Sequence, residues 1–268
     1  LTRGLALALV PFLLTAGGLL YLAPGHTAEH FAWTIKPDLT PIVMGAGYLA
    51  GAYFFLRVGL TRDWAAVRLG FLPVTVFAWL SLAATLLHWD RFNHAHISFI
   101  AWITLYVLTP LLVPALWWLN RHIRAPEPAH SAPMPTLFSA WAGLVALVLL
   151  GLGVSLFLAP SAFIPVWPWT LTPLTARVIG SWFVLSGLND ASTALSRSWR
   201  GSRIILQTQL IGLALIILGL PRALGDLRPD YVWGSIFAGG MLMLCVIFGA
   251  SYALLERRSR PVGLANPT

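Results

Sequence analysis

Apolar runs of membrane-crossing length recur from one end of this chain to the other, and that single feature removes most of the folds otherwise open to 268 residues. A helix needs roughly 20 residues to cross about 30 Å of hydrocarbon. Runs that reach or approach this length lie at Gly4–Leu22, Leu39–Leu60, Ala66–His88, His94–Leu119, Leu137–Pro160, Pro173–Leu195, Arg203–Leu220 and Tyr231–Leu255. They are apolar on all sides, whereas the strands of an outer-membrane barrel alternate apolar and polar residues. Only 10% of the residues are charged, against roughly a quarter in soluble domains. The expectation is therefore an all-α integral membrane protein with eight transmembrane helices and no soluble domain between them.

The first run follows Leu1-Thr2-Arg3, and Gly25-His26-Thr27-Ala28 after it resembles a signal-peptide cleavage site. The length of the run predicts a retained first helix instead. The formal net charge of +8 comes from arginines gathered at alternate helix ends. Arg3, Arg57, Arg62, Arg68, Arg121, Arg124, Arg197, Arg200, Arg203, Arg257, Arg258 and Arg260 fall on one side, while Lys36, Arg91, Arg177, Arg222 and Arg228 are balanced by acidic residues on the other. Cytoplasmic loops carry such an excess. Both termini are thus expected in the cytoplasm of a bacterial-type inner membrane. The basic charge reports topology and attraction to anionic lipid, and nucleic acid is not an expected partner.

A shift of the chain against itself, Leu39 onto Leu174, aligns two stretches without a gap. Leu39, Thr40, Val43, Gly45, Leu60, Arg62, Trp64 and Arg68 meet Leu174, Thr175, Val178, Gly180, Leu195, Arg197, Trp199 and Arg203. Apolar bias matches leucines easily, but not an Arg-x-Trp turn in register. An aromatic-rich segment precedes each stretch, FAWTIKPDL before the first and FIPVWPWTLTPL before the second. The expectation is two parallel four-helix repeats, residues 1–123 and 137–268, joined by a Pro-rich cytoplasmic linker at 124–136. An even number of helices per repeat gives both the same entry into the membrane.

Two constellations could carry chemistry. His88, Asp90, His94 and His96 crowd the turn LLHWDRFNHAHISF, and His26 and His30 lie in the loop after the first helix, all on the outward side. Imidazole and carboxylate are ligands of divalent transition metals, so this group is a candidate metal site and, less readily, a haem site. The spacing argues against it. Residues two apart on a helix point about 200° from one another, and the corresponding turn of the second half, GLPRALGDLRPDYVW, has no histidine. The competing reading is a polar interfacial turn with a solvated Asp90–Arg91 pair.

The second constellation is intramembrane and polar: Asn189 and Asp190 on the sixth run, Gln207 and Gln209 on the seventh, and Arg57 on the second. Buried charge in lipid is costly unless paired or functional, and an Asp190–Arg57 pair across the repeats is expected. Arg177 is expected to reach toward lipid headgroups.

Several classes are excluded. The only lysine, Lys36, lies in a loop, so no intramembrane Schiff base is available; the single Cys245 allows no disulfide framework; and no GxSxG, Walker or dinucleotide motif is present. The leading reading is a non-enzymatic protein that binds or transports a small molecule or lipid, or serves as an accessory subunit beside other membrane subunits. A transporter predicts a polar cavity between the repeats, reached by Asp190, Asn189, Tyr48 or Tyr106. The alternative is an outward-facing metal- or haem-binding protein or metalloenzyme.

Overall fold

The computed structural model describes residues 1–123, 134–228 and 232–259. Eight long helices dominate it: α1 (Thr2–Leu22), α2 (Leu39–Leu60), α3 (Phe71–Leu87), α4 (Ile97–Asn120), α5 (Thr136–Leu158), α6 (Pro173–Ser196), α7 (Trp199–Gly219) and α8 (Val232–Arg258). Among the described residues the only extended pairing is an isolated bridge between Trp169 and Leu227. Most of the expected linker lies outside the described residues.

Seven of the eight helices are long and apolar enough to cross a membrane, and α6 is not among them. Its 24 residues suffice in length. What dilutes its apolar character is Ser181, Ser186, Asn189, Asp190, Ser192 and Thr193, of which Ser181, Asp190 and Thr193 are buried inside the protein. A helix wrapped by other helices can carry polar groups that a lipid-facing one cannot. The chain is a polytopic helical membrane protein.

Two of the helix starts that differ from the sequence expectation are set by a cap. His96 closes the N-terminus of α4, its Nδ1 accepting from the Ser98 amide at 3.1 Å, so His94 lies outside the helix. Ser198 caps α7 by accepting from Gly201 N, which adds Trp199, Arg200, Gly201 and Ser202 to a helix expected from Arg203. Each cap satisfies an amide that the first turn otherwise leaves bare.

The most extensive helix pairs are α1 with α2 and α5 with α6. Both depend on glycine. A Cβ on Gly45 would lie 2.6 Å from Tyr21 N and 2.9 Å from Gly17 O, and one on Gly180 would lie 2.7 Å from Gly153 O. Backbones this close are the usual basis of helix association in lipid, where burial of apolar surface supplies no drive. The halves then exchange partners: α2 packs on α7 and α3 on α6, while α4 rests on α3 and α8 on α7. Over an apolar stretch of 18 residues α2 is 67% buried and α8 only 11%, so α2 is a core helix and α8 a peripheral one.

Both ends of the bundle are tied across the halves. At the end bearing the Arg-x-Trp turns, Arg200 Nε donates to Asp63 Oδ2 at 2.6 Å. At the other end Asp226 Oδ2 accepts from Leu39 N at 2.8 Å, capping α2 from the far half, and the Trp169 indole donates to Thr40 Oγ1 at 2.8 Å. Arg222 closes the C-terminus of α1 by donating to the carbonyls of Tyr21 and Leu22.

Candidate functional site

The turn after α3 and the loop after α1 come together. Asn93 N donates to Ala32 O at 2.9 Å and Ser98 Oγ to His30 O at 2.8 Å. Beneath them Trp33 packs against Trp102 and Phe92, with ring centroids 4.8 and 5.0 Å apart. The imidazoles do not converge. His94 stacks on Trp89, with its Nε2 3.0 Å from Trp89 O, and His96 is committed to its cap. His26 and His30 stack on each other at 6.4 Å between centroids, His30 lies 3.8 Å from Glu29, and Asp90 pairs with Arg91 at 3.3 Å in solvent. Among the described residues no three His, Cys, Asp or Glu side chains gather as a metal ligand set.

His88 has a different role. Arg177 Nη1 lies 2.6 Å from its Nε2, and since the guanidinium can only donate, the imidazole accepts and is neutral. Arg177, expected among headgroups, is thus drawn inward to join α6 to the end of α3. Burial first, then the Arg177 charge, push the His88 pKa below its ordinary value, while Asp90 opposes them. The sign of the pH dependence follows. A depressed imidazole contributes stability in full above pH about 6.5, and that contribution is lost as pH falls through the lowered folded value. The melting temperature of purified protein is expected to drop on acidification from pH 7.5 to 5, and to drop less in His88→Gln, which keeps an acceptor for Arg177 but does not titrate. Identical pH profiles in the two proteins would remove His88 from this role.

The second constellation separates into two parts. Arg57 does not meet Asp190. Its Nη1 donates instead to Tyr53 OH at 2.7 Å and to Gln207 Oε1 at 3.1 Å, Tyr53 OH donates to the same oxygen at 2.6 Å, and Gln207 Nε2 donates to Tyr252 OH at 2.7 Å. This network joins α2, α7 and α8, with Arg203 and Glu256 paired nearby at 2.7 Å. Gln209, two residues on, points to the other side of α7 and donates its Nε2 to Asp190 Oδ1 at 3.0 Å.

Asp190 is fully buried, and its Oδ2 has no hydrogen-bond partner among the described residues; the same holds for Gln209 Oε1. Both residues border a cavity of about 190 Å³ walled by α2, α3, α5, α6, α7 and α8. Ser186, Asn189 and Thr208 add polar groups to a wall otherwise made of residues such as Phe54, Leu149 and Phe237. A smaller cavity of about 60 Å³ adjoins it, bordered by Tyr48 and Tyr106, whose hydroxyls meet at 2.7 Å. Trp182 lines both. Its ring lies over Gly47, where a Cβ would meet it at 2.6 Å, and edge-on to Tyr48 at 5.2 Å.

Sequence reasoning named Asn189, Asp190, Gln207 and Gln209 but missed Ser186, Thr208 and Trp182. One signal was available: Ser186, Asn189 or Asp190, and Thr193 recur every three to four residues, which places them along one side of a helix. Nothing in the sequence announces that Trp182 covers Gly47. No protein-family model matches the chain, and no curated protein or solved structure matches it either.

Proposed function

We propose that this protein is a non-enzymatic binder or transporter of a small, largely apolar molecule, built from eight spans in two parallel four-helix units, with both termini in the bacterial cytoplasm. The observation that carries the reading is the cavity of about 190 Å³ between the halves, bordered by a buried carboxyl group with one oxygen unpartnered among the described residues. Ligand pockets are mostly apolar with a few polar groups that fix orientation, and duplicated transporters hold substrate between their repeats. The volume suits a small molecule rather than a whole phospholipid.

The duplication is supported by more than the Arg-x-Trp turn. Leu22-Ala23-Pro24 recurs as Leu158-Ala159-Pro160, and Ala23 (φ −125°, ψ 56°) and Ala159 (φ −128°, ψ 58°) share a backbone conformation at the ends of α1 and α5. The Gly17–Gly45 approach corresponds to Gly153–Gly180. Helix partners also correspond, α2 on α7 answering α6 on α3.

The test is equilibrium dialysis of radiolabelled phenylethanol against protein in nanodiscs. One saturable site per chain is expected, abolished in Ser186→Phe or Thr208→Phe, which fill the cavity without removing a bond between helices. Uptake that never saturates and is equal in all three proteins would sink the reading. It would leave the accessory-subunit alternative, for which the sparsely covered α8 is the favouring feature.

A further inference from the structure

We infer that the ligand of this cavity carries a protonated amine, bound by the oxygens of Asp190 and Gln209. The inference rests on the binding reading above and adds the chemical class of the ligand. Three observations point the same way.

The first is the count of donors and acceptors. Gln209 spends its amide nitrogen on Asp190 Oδ1 at 3.0 Å, which leaves its Oε1, like Asp190 Oδ2, an acceptor without a partner among the described residues. Buried polar atoms without partners cost free energy. A hydroxyl offers one donor and can satisfy one of these oxygens; an ammonium offers three and can satisfy both. Both residues border the cavity.

The second is charge. Among the described residues no arginine, lysine or histidine forms an ion pair with Asp190, and Arg57, the cation of the neighbouring helix level, is committed to Tyr53 and Gln207. Intramembrane carboxyl groups are kept where a partner or a transported charge requires them. A cationic ligand supplies the missing counter-charge.

The third is the remainder of the wall. Phe54, Phe183, Phe237, Phe248 and Trp182 border the same cavity, and aromatic faces attract cations while covering the apolar body attached to them. An acidic ligand meets none of these conditions. A neutral apolar ligand leaves both oxygens unsatisfied.

The experiment compares phenylethylamine at a pH where it is cationic with phenylethanol, its neutral counterpart of nearly equal size, by competition in the same nanodiscs. In the wild-type protein the amine is expected to bind at least about tenfold more tightly, because charge-assisted hydrogen bonds exceed neutral ones. In Asp190→Asn, which retains an acceptor for Gln209, that preference is expected to vanish. Saturable phenylethanol binding with no amine preference in the wild type would overturn the inference and leave the cavity reading standing. A preference that survives in Asp190→Asn would overturn it as well. If neither compound binds saturably, both readings fall together. The wild-type comparison stands by itself should Asp190→Asn not fold.

Discussion

Gly45→Val is expected to destabilise the protein by about 3 kcal/mol, enough to remove most folded protein from a detergent extract. The reason is that the obstacle is backbone. A Cβ at position 45 would stand 2.6 Å from Tyr21 N and 2.9 Å from Gly17 O, and a backbone cannot choose another rotamer. The helices must separate, and α1 then loses its most extensive contact. Gly180→Val is expected to do the same between α5 and α6, where Gly153 O stands at 2.7 Å. Gly240→Val supplies the control, since nothing lies within 4 Å of its added Cβ. Melting curves of the three variants in one detergent decide the matter. Equal stability of Gly45→Val and Gly240→Val would mean that α1 and α2 do not approach as described.

The second large effect is expected at Trp169. Its side chain is wholly buried, its indole donates to Thr40 Oγ1 at 2.8 Å, and its ring meets Trp167 and Phe237 at centroid distances of 5.3 and 5.0 Å. Because Thr40 belongs to α2 and Trp169 precedes α6, the residue bolts the halves together. Trp169→Ala is expected to cost about 3–5 kcal/mol through the cavity it leaves. Trp169→Phe keeps most of the apolar contact and gives up one hydrogen bond, at a cost of about 1 kcal/mol plus the stranded Thr40 hydroxyl. The order wild type, then Phe, then Ala in melting temperature is the check; an Ala variant as stable as the Phe variant would show that packing is not the main term.

How much of this could be read from the sequence depends on what sort of residue carried each signal. The Arg-x-Trp turn stood out because arginine and tryptophan are rare among leucines. The Leu-Ala-Pro recurrence was hidden because it needs a shift one residue longer than Leu39 onto Leu174, so an ungapped comparison slides past it. Helix α6 was legible by length alone. Of the polar residues that dilute it, Ser186, Asn189 and Asp190 border the cavity. The polar residues of α6 and α7 were identified, but their pairing was not, since Gln207 and Gln209 lie two apart and face different neighbours. Arg57 took the first and Asp190 the second. Only the positions of α2 and α6 relative to α7 decide that. The histidine turn failed as a ligand set for a local reason: Trp89 and the first turn of α4 had already claimed His94 and His96, and Arg177 had claimed His88.

The exchange of helix partners also bears on how the protein is made. While the first four helices are in the bilayer and the rest are still being synthesised, Gly47 has no Trp182 to cover it, Leu39 N has no Asp226, and Asp63 has no Arg200. These groups of the first half stay unmatched for the time it takes to translate the second half, on the order of ten seconds at typical synthesis rates. The first half is in effect a template completed by its sequel, and the final bundle closes only when α6 and α7 slot in beside α3 and α2.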